Sequence, residues 1–192
     1  GVPKENVFDF LGTAQKAAVG GVTNLEVAVD GITNVINAYG TDVISAAEAS
    51  DKMFIALKLG KTNFEQLSAA MFQVTPIASS LGVSFNDVMA ATAALTAQGT
   101  PTSVAMTQMK AALGELTKEE TRADVAFRKV ANKSFKQFIA EGGNLQQALQ
   151  LMEEGAKKSN IGLNDMFGSL EAGNMALALT GKGTDKFTES MQ

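Results

Sequence analysis

The sequence contains no cysteine, no histidine and no tryptophan. Without cysteine there is no disulfide framework and no thiol chemistry, and zinc sites built from cysteine and histidine are excluded. Without histidine the chain lacks the imidazole base on which acyl-transfer triads commonly depend. Among the common catalytic arrangements, paired carboxylates remain open, since a glycosidase can work with Asp and Glu alone.

Positive charge and long apolar runs are also scarce. The formal net charge is −4, which argues against nucleic-acid binding and against adhesion to anionic lipid. No run of 18 apolar residues occurs, so no membrane span is expected. No signal peptide stands at the start, and the chain opens at Gly1 and stops at Gln192 inside a helical pattern. We therefore expect this chain to be a fragment of a longer one.

What is present favours one globular domain. The chain has 192 residues, of which 45% are hydrophobic and 19% charged. The 11 Phe and 9 Met stand among many Ala. Such a composition favours closely spaced helices around a core that is easily re-packed.

Glycines at near-regular intervals mark helix ends, because glycine accepts the left-handed backbone that terminates a helix. They are Gly20, Gly40, Gly60, Gly82 and Gly99. Apolar residues between them recur with helical period and nowhere alternate long enough for a strand. The stripes run over residues 25–39, 43–57, 64–81, 85–95 and 105–116.

Helix starts are predicted from short polar side chains that stand just before a stripe, where they can accept the free N–H groups of the first turn. They are Asn24, Asn63, Ser84 and Asn144. Asp87 adds negative charge three positions after Ser84, and Thr41 with Asp42 predicts another start. A helix should begin after Thr100-Pro101, and Pro76 predicts a kink, or a break one turn earlier.

The second half is less regular. It predicts a charged helix over 118–131, a short helix capped by Ser134 and ending near Glu141, a helix over 145–157, a stretch over 163–177 and a last helix over 185–191. The fold class is thus all-α: roughly ten helices in an array of antiparallel hairpins. We expect a single domain over 1–192, with regular hairpins in 1–117 and a less regular part in 118–192.

No catalytic, cofactor-binding or metal-binding residue is predicted. Glu48 is the only acidic group among small residues of its helix, as a catalytic acid would be, but an exposed helix position is the better interpretation. The pairs Gly142-Gly143 and Gly181-x-Gly183 follow no strand, so they are interpreted as turns rather than phosphate-binding loops.

Two further patterns allow a partner-binding or a structural interpretation. Four basic residues would share one face only if a single helix continued through them, and a solvated face is favoured: Arg122, Lys129, Lys133 and Lys136. Seven methionines are interpreted as core residues rather than a binding groove: Met71, Met89, Met106, Met109, Met152, Met166 and Met175.

From about Asn24 onward the chain resembles phage tail tape measure proteins, also called phage minor tail proteins. Three runs carry the resemblance in order. They are residues 49–53 (ASDKM) through 64–67 (FEQL); residues 81–88 (LGVSFNDV), 94–99 (ALTAQG) and 111–116 (AALGEL); and residues 166–172 (MFGSLEA) with 176–179 (ALAL). The chain departs from the family at 131–133, where Ala-Asn-Lys replaces the frequent Gly-Ile or Gly-Val; Asn tolerates the same left-handed turn.

The resemblance implies a non-enzymatic structural role without substrate or cofactor. Tape measure proteins lie in the lumen of the tail tube, help to set tail length, and leave when the genome is delivered. Implied partners are further copies of the chain, the tail tube protein, tail assembly chaperones and tail tip or hub proteins. The implied location is the virion tail lumen, and the host cytoplasm during assembly. Hairpin-length helices lack the extended heptads of the ruler segment itself.

Two other functions stay open at this point. One is a peptidoglycan-degrading tail module with Glu48 as general acid; the other is a bacterial helical adaptor that binds a partner helix in a Met-lined groove. Self-association is also expected: residues 90–94 and 172–174, rich in Ala and Gly, would allow close approach between chains, with exposed Met and Phe adding apolar contact. The isolated chain should form a weak oligomer, and the full tail a ring-like or parallel multimer.

Overall fold

The computed structural model describes residue 2 and residues 4–21, 23–181 and 184–192, and within them the chain is helical throughout, with no strand. Twelve α-helices are described: α1 Val7–Gly20, α2 Leu25–Tyr39, α3 Ala46–Leu59, α4 Phe64–Ala70, α5 Thr75–Leu81, α6 Phe85–Ala97, α7 Thr102–Thr117, α8 Arg122–Ala131, α9 Phe135–Ala140, α10 Leu145–Lys158, α11 Leu170–Thr180 and α12 Thr184–Met191. Short 3₁₀ helices occupy Lys4–Asn6, Met71–Gln73 and Leu163–Met166. The all-α prediction is confirmed.

All four predicted caps are confirmed. Asn24, Asn63, Ser84 and Asn144 each accept the backbone N–H three residues on, at 2.8 to 3.0 Å. Ser134 caps α9 in the same way. These contacts are local, since a short side chain at the N-cap meets the first turn of its own helix.

The proline predictions are also confirmed. α4 ends at Ala70, a 3₁₀ turn follows, and α5 begins at Thr75 with Pro76 in its first turn. Pro101 stands at the N-cap of α7. Proline lacks the N–H that a helix interior needs but loses nothing in the first turn. The break before Pro76 divides one predicted helix into two, α4 and α5. A further helix, α1, had no predicted stripe. These two additions bring the ten expected helices to twelve.

Two predicted helix starts are wrong. The helix expected from Thr41 begins at Ala46, because Ser45 and Glu48 form a reciprocal capping box there. The helix expected from Lys118 begins at Arg122, because Thr121 caps it and Glu120 has a positive φ of 66°. In both cases a stronger cap lies a few residues beyond the first candidate.

The continuous stretch expected over 163–177 is also wrong. A 3₁₀ helix ends at Met166, Phe167 is extended, and α11 starts at Leu170 after the cap Ser169. The cause is a contact from another helix, in which Glu115 of α7 binds backbone N–H groups of this break. At the connector over residues 131–133 the expected left-handed turn is present, since Asn132 has a φ of 54° and ends α8.

Helix α6 is the centre of the molecule. Eleven of its thirteen residues are buried, and α3, α5, α7, α11 and α12 all pack against it. A helix that is apolar on every side belongs inside a protein. Its buried hydroxyls on Thr92 and Thr96 donate to the carbonyls four residues back, both at 2.8 Å, so neither is left unpaired.

The most extensive helix contacts join α6 to α12, α7 to α11, α3 to α6 and α2 to α4. These pairs are not consecutive along the chain, so the predicted array of hairpins is not confirmed. Helices α6 and α7 belong to the regular half but contact elements of both halves. None of the helices in the described ranges is both long enough and apolar enough to cross a membrane.

Candidate functional site

Glu48 lies in the first turn of α3 and is exposed. Its carboxylate accepts hydrogen bonds from the backbone N–H and the hydroxyl of Ser45, at 2.9 and 2.8 Å. These two bonds lower the pKa of Glu48, the backbone bond contributing most. A general acid needs a raised pKa. Glu48 is exposed, as the favoured interpretation had it, and it also takes part in the capping box that starts α3.

The first glycine pair forms a turn between helices. Gly142 has a φ of 96°, in the left-handed region, and the ring of Phe138 lies against Gly143. Asn144 then caps α10. Gly181 ends α11, but Lys182 and Gly183 lie outside the described residues, so the prediction of a loop there stays a prediction.

The four basic residues do not share one helix face. α8 ends at Ala131 and α9 begins at Phe135, which separates Arg122 and Lys129 from Lys133 and Lys136. Lys133 forms an ion pair with Glu141, and this contact lowers the pKa of that carboxyl. The four basic residues therefore lie on two different helices or in the connector between them, and they form no continuous stripe.

All seven methionines named above are buried and belong to the core, although Met166 also lines the groove described below. The Ala residues at 90, 91, 93 and 94 are also fully buried, within α6. Gly173 packs against Asn164 of the same chain. The expectation that these small residues serve contacts between chains is wrong: they let helices of one chain approach each other closely.

A surface groove of about 720 Å³ lies between α8 and α10. Its floor contains Val125, Val130, Leu151, Ile161 and Met166. Basic and acidic side chains border it in equal number: Arg122, Lys129, Lys158, Glu120, Glu154 and Asp165. This mixed border favours neither an anionic nor a cationic ligand.

Asp87 is the least exposed carboxylate of the described chain, with 1% of its surface accessible. Its Oδ2 accepts the backbone N–H of Leu145 at 2.9 Å, which ties the start of α10 to the start of α6. Its Oδ1 is buried without a partner among the described residues. Burial raises the pKa of Asp87 to about 7, and the Leu145 bond opposes that rise.

The contact between Asp87 and the start of α10 is the first of two long-range joints, and Tyr39 lies close to it. Its hydroxyl donates to the carbonyl of Val83 at 2.8 Å, and its ring meets Phe85 edge-on at 6.0 Å between centroids. Burial raises the pKa of Tyr39, and the negative charge of Asp87 raises it further. The local sequence presents Asp87 only as a first-turn acid, and nothing nearby signals that it is enclosed by distant segments.

Glu115 forms a second long-range joint. Its carboxylate accepts the N–H of Gly168 at 2.7 Å and that of Ser169 at 3.0 Å, and the Ser169 hydroxyl also donates to it. A carboxylate at a helix start is stabilised by the free N–H groups and by the helix dipole. Glu115 thus holds α11 against α7.

Both carboxylates, Asp87 and Glu115, bind groups at the starts of helices. Among the described residues, no three acidic side chains converge as a metal site would require. The partners of Asp87 and Glu115 are backbone and hydroxyl groups at helix starts, which position helices. The hydrogen bonds of Asp87 and Glu115 connect helices that are distant in the sequence.

Comparison with known proteins gives the family. The family described as "Phage-related minor tail protein" matches residues 1–181. The chain belongs to this family. It is also 38% identical over 193 residues to a protein named "Probable tape measure protein" from Clostridium phage phiCD119. That match covers 97% of this chain but 20% of the relative's length, and no solved structure matches the chain.

Family membership agrees with what the geometry offers. A minor tail protein needs a body whose segments hold together and surfaces that other tail components can contact. The described chain has such a body, with α6 enclosed and two carboxylates tying distant helices together. Surfaces that other components could contact include the groove between α8 and α10 and the exposed apolar side chains of α1.

Proposed function

We propose that this chain is a structural, non-enzymatic domain of a tape measure protein. The observation that carries the proposal is the match over nearly the whole chain to a family of phage minor tail proteins and to a probable tape measure protein. Since the chain spans 20% of that relative's length, the domain would be one part of a much longer protein. Its roles would be in tail length determination, tail tube assembly and genome delivery.

The proposed partners follow from the same role. Further copies of the chain and the tail tube protein would surround the domain in the tail lumen, with the tip or hub proteins at its end. Tail assembly chaperones would hold the protein in the host cytoplasm before the tube polymerises. A ring-like or parallel arrangement of copies in the finished tail is part of this proposal.

Within such a protein we assign the domain to a compact part rather than to the extended ruler. Its longest described helix, α7, has 16 residues. Because an α-helix rises 1.5 Å per residue, a ruler segment of equal chain length would span about 290 Å of tail. A domain whose helices pack around α6 covers a much shorter length of the tail than such an extended helix.

An in-frame deletion of the domain from the phage gene tests this assignment. The control phage loses an equally long heptad-rich segment of the same gene. We expect the control to shorten the tail by about 290 Å in electron micrographs, if that segment is helical along the tube. Loss of the domain should instead reduce the yield of assembled tails or the infectivity of particles. Normal, infectious particles with unchanged tails would contradict a structural role here.

The enzyme alternative has its own test. Purified chain and its Glu48→Gln variant are incubated with peptidoglycan, and release of soluble fragments is measured. We expect no release from either, because Glu48 caps a helix and its pKa is lowered rather than raised. Cleavage by the unaltered chain that disappears in Glu48→Gln would contradict the non-enzymatic assignment.

A further inference from the structure

Helix α1 carries an apolar face that no part of the described chain covers. Phe8 is 87% exposed and Val19 is 82% exposed, the two highest values among the large apolar side chains of the described residues. Leu11, one turn after Phe8, is 39% exposed. The opposite face of the same helix is buried through Phe10, Ala14, Ala17 and Ala18. Large apolar side chains therefore stand on both sides of α1, although only one side packs inside the chain.

The spacing on the exposed face is that of a helix-pairing seam. Residues 8, 12, 15 and 19 follow one another at intervals of four, three and four, which is the alternation of core positions in a coiled coil. They are Phe8, Gly12, Gln15 and Val19. A side chain at Gly12 would meet nothing within 4 Å, so this position lies open to another backbone. Glycine at a seam allows two helices to approach closely.

Charges beside the seam indicate what pairs with it. Asp9 and Lys16 are exposed and lie seven residues apart, on the same flank. Neither makes an ion pair within the described residues. Lys4 and Glu5, which precede the helix, offset each other in charge. The flank is thus acidic towards the start of α1 and basic towards its end.

Two antiparallel copies of such a helix complement each other. A two-fold axis brings the same flank of both helices together, so Asp9 of each copy faces Lys16 of the other. Phe8 then meets Val19 at both ends, and Gly12 meets Gln15 near the axis. In a parallel pair each helix would instead present its acidic end to the acidic end of the other.

We propose that this face of α1 is a homodimer contact, in which α1 packs antiparallel against α1 of a second copy of this chain. The seam is about 16 Å long, the rise of α1 from residue 8 to residue 19. A contact of this size is small, so the dimer is weak and depends on concentration. The inference concerns the free chain in solution, not the parallel copies proposed for the finished tail, and it rests on the charges and exposure of α1 rather than on the tail role.

Sedimentation of the 192-residue chain over a range of concentrations tests the contact. We expect a monomer–dimer equilibrium that Phe8→Glu abolishes. The matched control is Phe72→Glu, because Phe72 is also an exposed phenylalanine, 58% accessible, but lies outside α1. Circular dichroism verifies that each variant keeps its helix content. A strict monomer at high concentration, or equal loss of dimer in both variants, would overturn the proposal.

Charge exchange tests the antiparallel arrangement. Asp9→Lys and Lys16→Asp each replace two attractive contacts by two repulsive ones, which should raise the dimer Kd roughly five- to thirty-fold. The double variant Asp9→Lys with Lys16→Asp restores complementarity, so its Kd should return to within about threefold of the unaltered chain. If the double variant is as weak as the single ones, the α1 pairing is refuted, whatever the phage deletion shows about tail assembly.

Discussion

Helices α6 and α1 have similar apolar content and very different surroundings. α6 is enclosed by helices from both halves of the chain, and its large side chains Phe85, Val88 and Leu95 are almost wholly buried. α1 packs on α2 and α3 and leaves Phe8 and Val19 in solvent. The difference shows that composition alone does not set burial. Position in the fold decides whether an apolar helix contributes to the core or is available to a partner.

The largest expected effect is a matched pair of leucine truncations. Leu95→Ala in α6 should lower the free energy of unfolding by about 2–5 kcal/mol, since Leu95 is fully buried and its loss leaves a cavity. Leu11→Ala in α1 should cost less, at most about 1–2 kcal/mol, because 39% of the Leu11 surface is already exposed. Urea denaturation measures both. Similar losses at the two positions would break the distinction between central and peripheral helices.

Asp87 makes the stability of the centre depend on pH. Its pKa of about 7 in the folded chain exceeds its ordinary value of 3.8, so the folded state binds the proton more tightly than the unfolded state. The resulting stability is fully present below about pH 4 and is lost as pH rises through about 7. The difference is on the order of 4 kcal/mol, because each pKa unit corresponds to about 1.4 kcal/mol.

Asp87→Asn should remove most of this pH dependence, and urea denaturation between pH 4 and pH 8 measures it. The matched control is Asp30→Asn, because Asp30 is exposed on α2. The control should keep the slope of the unaltered chain. If both variants lose stability with pH as the unaltered chain does, Asp87 does not carry the effect.

Two glycine-to-alanine substitutions compare the closely packed surroundings of α6 with the open surface of α1, because each adds a single methyl group. A Cβ at Gly60 would lie 2.9 Å from the Cα of Ala93 in α6, so Gly60→Ala should cost about 1–3 kcal/mol. Gly12 in α1 has open space, so Gly12→Ala should stabilise the monomer by about 0.5–1 kcal/mol through helix propensity. Thermal unfolding in dilute solution compares them. Stabilisation by both would mean that α3 and α6 are not closely packed at Gly60.

Most helix starts were predictable because the cap is local, but at Ser45 and Thr121 the cap is equally local and an earlier candidate was preferred. Asn24, Asn63, Ser84 and Asn144 each bond within their own first turn, and Pro76 and Pro101 act through their own backbone. The break before α11 was not predictable, because Glu115 lies more than fifty residues from the N–H groups that it binds. The order in which helices pack was not predictable either. Consecutive helices were expected to pair as hairpins, whereas α6 packs mainly on helices distant in sequence.

For the candidate sites too, local contacts could be judged from the sequence and contacts with distant segments could not. The exposed position of Glu48 agrees with the interpretation from its neighbours, but its capping box with Ser45 was missed, although that contact spans only three residues. The roles of the small residues of α6 and of Asp87 depend on what encloses them. An Ala-rich helix has the same local pattern whether it faces its own chain or another copy, and only the fold separates the two.

Native-state hydrogen exchange compares the two helices most directly. The backbone amides in the interior of α6 should exchange only when the whole molecule unfolds, because every side of that helix is packed. The amides of α1 should exchange faster, through local opening, at concentrations where the chain is monomeric. Protection in α6 that matches the global free energy of unfolding, with clearly lower protection in α1, is the predicted result. Equal protection in the two helices would contradict the claim that α6 is central and α1 peripheral.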